Sequence, residues 1–435
     1  MWLRKGLWNS ISRGNPVDYC VKKGCVGFMK ILMVNKFLFP KGGAETYMLQ
    51  LGETLAAQGH RVEYFGMDDP KRTVGNSWDL YTAPMDFHRN NLLEKASYLS
   101  KIIYSREAKQ KLYQLLKEFQ PDVMHINNFN FQLTPSILLA AEEYRKKQKR
   151  SLRIVYTAHD FQLICPNHLL FDPGRHEICQ ECLDRNSVHC LKKKCIHGSR
   201  ARSLMGMLEY RYWNRRDVYR ILDCILCPSV FMKQKLDINP TLAKRTVFLR
   251  NFVSAAQQKD ADKENYVLYF GRYSEEKGIR TLVGACEKLP DIPFVFAGSG
   301  LLELLLKDKP NIRNLGFLGG EALQEVIRKA RFSVCLSQCH DNCPFSVMES
   351  IMAGTPVLGS PNGGIPELIE KGRTGWICPM DSESQLVSEL RRIWDSTEPE
   401  RYRAACLQTR FGGLTEYVQK LTEIYQGGQL DGRCN

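Results

Sequence analysis

Apolar residues along this chain fall in short continuous runs, each followed by a polar turn and often by a stretch with helical spacing. That pattern predicts buried parallel strands alternating with helices. Residues 30–35 read as the first strand, about 46–58 as a helix closed by Gly59-His60, and 61–65 as the second strand. This is a right-handed βαβ opening with glycines at its first turn, where doubly wound folds place a ligand. Residues 122–128 and 153–158 read as further strands, and 223–229 as a strand and switch point. Residues 266–272, 294–300, 332–337 and 355–359 repeat the pattern. In the tail, residues 414–425 have helical periodicity, with Tyr417, Val418, Leu421, Ile424 and Tyr425 on one face.

Residues 341–349, Asp-Asn-Cys-Pro-Phe-Ser-Val-Met-Glu, interrupt the pattern with chemistry. Pro344 suits the first turn of a helix and Asn342 the cap before it, and Gly354 marks the end. Asp341 then precedes the helix and Glu349 lies inside it. At roughly 1.5 Å per residue the two carboxylates stand on the order of 10 Å apart, with amide N–H groups and the positive dipole end between them. That span suits a ribose and a hexose joined by a diphosphate. Gly363-Gly364 predicts a tight loop where backbone comes close to a ligand.

The chain is long enough, at 435 residues, for two domains with separate cores. A hydrophobic fraction of 43% and a charged fraction of 25% exclude a disordered chain, and there is no apolar run of about 18 residues to span a membrane. A net charge of +14 points to acidic partners: nucleotide phosphates, anionic lipid, a polyprenyl pyrophosphate or nucleic acid. Most of the 16 cysteines are scattered, Cys224 and Cys227 inside an apolar run, as expected of reduced core residues in a cytoplasmic protein. Residues 1–28 are basic and lack a long apolar stretch, so they read as a flexible extension before Met29 and not as a signal peptide.

Two acids separated by seven residues, followed by Ala-Gly-Thr-Pro-Val at 353–357 and Gly-Gly-Ile-Pro-Glu at 363–367, resemble the donor site of retaining glycosyltransferases of family 4. Gly42-Gly43-Ala44-Glu45 after the first strand and Gly271-Arg272 with Glu276-Lys277-Gly278 resemble two more of that family's motifs. The resemblance covers about residues 29–427. It implies an α/β chain with the GT-B fold, two Rossmann-like doubly wound domains facing a cleft. The first, at 29–250, would take the acceptor and end in a strand at 247–253. The second, at 251–410, would hold the donor, and a helix within 411–435 would return to the first.

The implied activity is metal-independent transfer of a sugar, with retention of configuration, from a nucleotide-diphosphate sugar to a glycan or polyprenyl-linked acceptor in cell-surface polysaccharide synthesis. By the same resemblance Glu349 holds the ribose, and Arg272 and Lys277 meet the diphosphate with the backbone of Phe345, Ser346 and Val347. Asp341 contacts the donor sugar, where the family usually has Glu. Gly42 and Gly43 close over the phosphates, Gly271 turns the chain beside them, Gly298 lies near the base, and His159 lies beside the donor sugar and acceptor.

Four features fall outside that pattern. His125 reads as a strand histidine with no chemical role. Residues 165–197 form a Cys-rich insertion, in which Cys179, Cys182, Cys190 and Cys195 have spacing compatible with a structural Zn²⁺ site, with disulfides or free thiols as the alternatives. Residues 197–220 alternate arginines with Leu204, Met205, Met207, Leu208, Tyr212 and Trp213, which suits either a helix lying on anionic lipid at the inner face of the membrane or a core-packed helix with a solvated basic face. Asp260 and Asp262 read as solvated linker, with no catalytic metal. Two rival functions share these residues: an inactive GT-B binding protein, and a zinc-bearing nucleic-acid binder. The second leaves Arg272, Lys277 and Glu349 unexplained, so no nucleic-acid partner is expected.

Overall fold

The computed structural model describes residues 27–84, 101–253, 261–379 and 382–428. The extension at 1–28, all but its last two residues, and Asp260 lie outside them. Two six-stranded sheets organise the chain, and every pairing within them is parallel. In the first sheet the order is β2-β1-β3-β4-β7-β8: Arg61–Phe65, Lys30–Val34, Val123–Ile126, Arg153–Thr157, Cys224–Cys227 and Thr246–Phe248. In the second it is β11-β10-β9-β12-β13-β14: Ile312–Asn314, Phe294–Ser299, Val267–Arg272, Phe332–Cys335, Val357–Gly359 and Gly375–Ile377. A two-stranded hairpin, β5 (Phe171–Asp172) with β6 (Glu177–Ile178), lies in the Cys-rich insertion.

The strands are apolar throughout because each sheet is covered on both faces. Leu32 and Val34 of β1 enter one core cluster and Ile31 and Met33 the other, so alternation sends apolar side chains both ways. In β9, Val267 and Tyr269 pack on one face and Leu268 and Phe270 on the other.

Strand order reverses between β1 and β3 in the first sheet and between β9 and β12 in the second. A crevice opens at the carboxyl ends of strands at such points. The switch point expected at 223–229 is therefore misplaced, since β7 sits in regular order between β4 and β8. Several strands also stop short of their expected ends. Asn127, Asn128, Ala158, Ser229 and Ser337 all lie just past them. Those residues leave the ladder to form the rim of the crevice. The first helix begins at Gly43, three residues earlier than its periodicity suggests, because Gly42 takes the cap position.

The helix Leu414–Tyr425 packs on the first sheet's side: Tyr417, Val418, Leu421, Ile424 and Tyr425 share a core cluster with Ile31, Met33 and Tyr47. A buried polar chain runs through that contact. His125 Nδ1 meets the Tyr425 hydroxyl at 2.5 Å and its Nε2 meets Thr157 Oγ1 at 2.7 Å. Tyr47 joins Thr157 at 3.2 Å and Tyr417 at 2.6 Å. Every polar atom in this chain has a partner, which is what allows it to be buried. Tyr425→Phe would strand the His125 ring nitrogen, at a cost of about 1–3 kcal/mol. A urea titration should show a lower midpoint with unchanged slope, and an unshifted midpoint would count against the role given to this contact.

Candidate active site

The helix Phe345–Met352 starts at Pro344, which is extended at φ −68° and ψ 122°. Asn342 is not its cap. Its side chain instead crosses to the first domain, donating from Nδ2 to the Ala158 carbonyl at 2.6 Å and accepting from Ser229 Oγ at 2.6 Å. Since residues 341–344 precede the helix, the helical estimate of the Asp341–Glu349 span does not apply. Gly354, at φ +73°, follows the helix end.

Lys277 stands on the turn after β9, and its ammonium pairs with the Asp341 carboxylate. Ser337 donates to the same carboxylate at 2.8 Å. Burial pushes the Asp341 carboxyl up, but the Lys277 charge and these hydrogen bonds outweigh it and hold the acid below its usual range. Asp341 is therefore ionised at neutral pH. Arg272, at the end of β9, is largely exposed, 3.4 Å from Glu276, and contributes to the field at Asp341. Lys277, Asp341 and Arg272 thus converge at the switch point of the second sheet.

Glu349 lies one turn into the helix, and burial raises its carboxyl to about 7. Of the three expected amides, Val347 N–H already donates to Pro344 O at 3.2 Å. Phe345 and Ser346 occupy the first two helical positions, and the Ser346 side chain bonds the Cys335 thiol. Across the crevice, a Cβ on Gly43 would lie 3.7 Å from the Phe345 ring, so the glycine turn of the first domain faces the start of the donor helix. Gly42 is extended and next to Glu45, which accepts from Asn35 at 3.1 Å.

Three glycines lie where a Cβ would meet the chain's own backbone. Gly298 pairs with Gly271 across adjacent strands, and a Cβ on it would come within 1.9 Å of the Gly271 carbonyl. Gly363, at φ +72°, and Gly364 press on the backbone of Asp341 and Asn342, where a Cβ would come within 2.1 and 1.9 Å of their carbonyls. The backbone that approaches this loop is the chain's own.

His159 lies just past β4 with Nε2 2.9 Å from Asn127 Oδ1 and its ring edge-on to Tyr47 at 5.0 Å. Burial lowers it to about 3, so the ring is neutral. Tyr47 stacks on Phe252 at 5.5 Å, which meets Phe345 at 6.3 Å, and this aromatic chain joins His159 to the donor helix. Next to His159, Asp160 is raised to about 6 by burial, against the pull of the Gln162 amide and Lys36. Lys36 donates to Asn130 Oδ1 at 3.0 Å, and Asn130 meets His168 at 2.5 Å.

Sequence reasoning gave Asn342 only a capping role and assigned none to Ser229, Tyr47, Lys36 or Glu367. Glu367 accepts from the backbone N–H groups of Val230 and Phe231 at 2.8 and 2.6 Å, binding the second domain to the start of the helix Val230–Asp237, which Ser229 caps. A Ser before an apolar helix and the Glu closing Gly-Gly-Ile-Pro-Glu were the available signals. The Cys-rich insertion stands apart from this crevice. Its cysteines, Cys165, Cys179, Cys182, Cys190 and Cys195, are not joined in disulfides. As the side chains stand, no three His, Cys, Asp or Glu among the described residues converge as metal ligands.

Residues 41–256 match the family model for Glycosyltransferase Family 4, and residues 253–406 match that for Glycosyl transferases group 1. Together they run through both sheets, and the chain belongs to the family 4 glycosyltransferases, with the GT-B fold. Among individual proteins, it is 24% identical to a 42.6 kDa protein of the cps region of Klebsiella pneumoniae, over 78% of this chain and 87% of the relative. Of solved structures, sucrose-phosphate synthase of Thermosynechococcus elongatus superposes with a TM-score of 0.63 at 16% identity, covering 92% of this chain and 98% of that one. HepE of Anabaena, solved with UDP-glucose, gives 0.59 at 16% identity over 92% and 100%. At such identities the two structures speak for the fold alone.

Glu367→Ala would leave two helix N–H groups without their charged acceptor, a loss of about 1.5–3 kcal/mol in holding the domains together. Small-angle scattering of the variant should show a larger radius of gyration than the parent chain, with Glu367→Gln in between. Identical scattering from all three would remove Glu367 as a domain tie.

Proposed function

We propose that this chain moves a sugar from a nucleoside-diphosphate sugar to a hydroxyl of a glycan or polyprenyl-linked acceptor in cell-surface polysaccharide synthesis, with retention of anomeric configuration. The observation that carries the reading is the convergence of Lys277, Asp341, Arg272 and the start of the helix Phe345–Met352 on one crevice edge, opposite Gly43 and His159. The cps region of the Klebsiella relative and the UDP-glucose bound by HepE support the pathway and the donor class.

On this reading Glu349 accepts hydrogen bonds from the ribose hydroxyls. Lys277 exchanges part of its pairing with Asp341 for the diphosphate, and Arg272 swings in from solvent to its far side. These cations, in place of a divalent ion, stabilise the charge that grows on the departing diphosphate. Asp341, freed on one oxygen, takes a hydroxyl of the donor sugar. The neutral His159 faces the acceptor, and the leaving phosphate takes the acceptor proton, so bond breaking and bond making share one face of the sugar. Closure through Asn342 and Glu367 limits the access of water.

The test is a thermal-shift screen of nucleoside diphosphates and their sugars, followed by NMR of the product's anomeric centre. One donor should raise the melting point, and the product should keep its configuration; an inverted product would refute the retaining step. Affinity for that donor should also depend on pH. The Glu349 carboxyl is raised to about 7 in the free protein, so it is neutral below that pH and charged above. If the donor selects the charged form, affinity falls as pH drops through 7, by up to about tenfold per unit. Glu349→Gln should bind weakly with a flat profile; a wild-type profile without slope between pH 8 and 6 would count against the ribose role.

A second reading concerns where the protein works. On the helix Arg200–Arg215, Met207, Tyr210 and Trp213 are buried, while Leu204 and Leu208 are 39% and 41% exposed among Arg200, Arg202 and Arg215. That face suits an anionic lipid surface, although no helix among the described residues is long and apolar enough to cross a membrane. Vesicles rich in anionic lipid should sediment the protein, and a Leu204→Ser, Leu208→Ser pair should lower the bound fraction severalfold. Equal binding to neutral vesicles would overturn the charge component.

A further inference from the structure

Away from the crevice, five cysteine side chains enclose a cavity of about 10 Å³ together with His189. Four of them, Cys179, Cys182, Cys190 and Cys195, lie further along the insertion. The fifth, Cys165, opens it, five residues past Asp160 on the loop that leaves β4 by way of His159. Only Cys179 is more than a tenth exposed. A cavity of this size holds one atom or one water, and thiols are poor partners for water.

The Cys165 thiol donates to Asn167 Oδ1 at 2.9 Å. Lys193 Nζ lies 3.7 Å from Cys179 Sγ and 3.5 Å from Asp172, so a cation already stands at the one partly exposed sulfur.

We propose that one structural Zn²⁺ is bound by four of these five cysteines, Cys165 among them. The sulfurs do not yet converge at ligand distance, and rotation about the Cα–Cβ bonds into a cavity one atom wide is the movement required. Zn²⁺ takes four thiolates tetrahedrally, each thiol losing its proton to solvent. The ion supplies what the insertion lacks. Its buried cluster consists of Cys182, Cys190 and Cys195 alone, with Ile196 half-buried against it.

The new element is Cys165. Through it the metal would fasten the insertion to the loop carrying His159 and Asp160, and to the helix Arg200–Arg215, whose Tyr210 hydroxyl donates to Ile164 O at 3.3 Å. The ion would then be a brace for the wall of the acceptor side, remote from the reacting atoms.

The test is elemental analysis of the whole purified chain, together with release of zinc to a colorimetric chelator when the thiols are titrated with a mercurial. About one zinc per chain is expected, and Co²⁺ in its place should give the intense absorption of a tetrahedral thiolate site. Cys165→Ser should lose most of its zinc, and of the single serine variants at Cys179, Cys182, Cys190 and Cys195 one should keep it. Should Cys165→Ser fold poorly, the zinc content of the parent chain and of those four variants still decides the matter. A parent chain that holds no zinc after reconstitution, or whose cysteines prove to be paired as disulfides, would overturn the site. Retention of zinc in Cys165→Ser would overturn the ligand set.

Discussion

The arrangement of this molecule depends on contact between two domains made by polar groups that are buried or partly buried and each satisfied. Asn342 and Glu367 come from the second domain, and Ser229, Ala158 and the Val230 and Phe231 amides from the first. None of these groups could be buried alone without a cost of about 1–3 kcal/mol. Each is therefore compensated only while its counterpart is present. This requirement sets the register of the two sheets and brings Gly43 opposite Phe345.

The same contact explains the electrostatics of the crevice. Asp341 immediately precedes Asn342, so fixing Asn342 fixes the carboxylate that pairs with Lys277. This pair neutralises two charges at a partly buried point. Glu349, by contrast, has no charge beside it and is raised by burial alone. The two acids of one motif thus sit in opposite environments, one held ionised by its neighbours and the other poised near neutrality.

Much of this was legible in the sequence, for physical reasons. Strands buried on both faces must be apolar throughout, so β1, β4 and β9 stand out, and the helix Leu414–Tyr425 shows its single packed face. Positions governed by contacts between distant segments were less visible. Asn342 looked like a cap because Asn before Pro usually is one, and only the partner domain reveals that its side chain is taken elsewhere. Gly298 and Gly363 read as places of close approach, and only the fold shows that the chain's own backbone comes close at both. The helical estimate of the Asp341–Glu349 span does not apply because Pro344 is extended. Cys165 opens the Cys-rich insertion, but its spacing from the Cys-x-x-Cys does not mark it as part of the cysteine ring, and the fold places it there.

The last helix has a consequence for how the protein is made. Tyr417 and Tyr425 complete hydrogen bonds to Tyr47 and His125, residues laid down some three to four hundred positions earlier. On a ribosome that extrudes the chain from its beginning, the first sheet emerges long before the side chains that satisfy its interior. The amino-terminal half must wait, with His125 and Tyr47 each bonded only to Thr157, until translation is nearly over. Premature termination anywhere in the second half would release a nascent protein whose earliest domain is also unfinished.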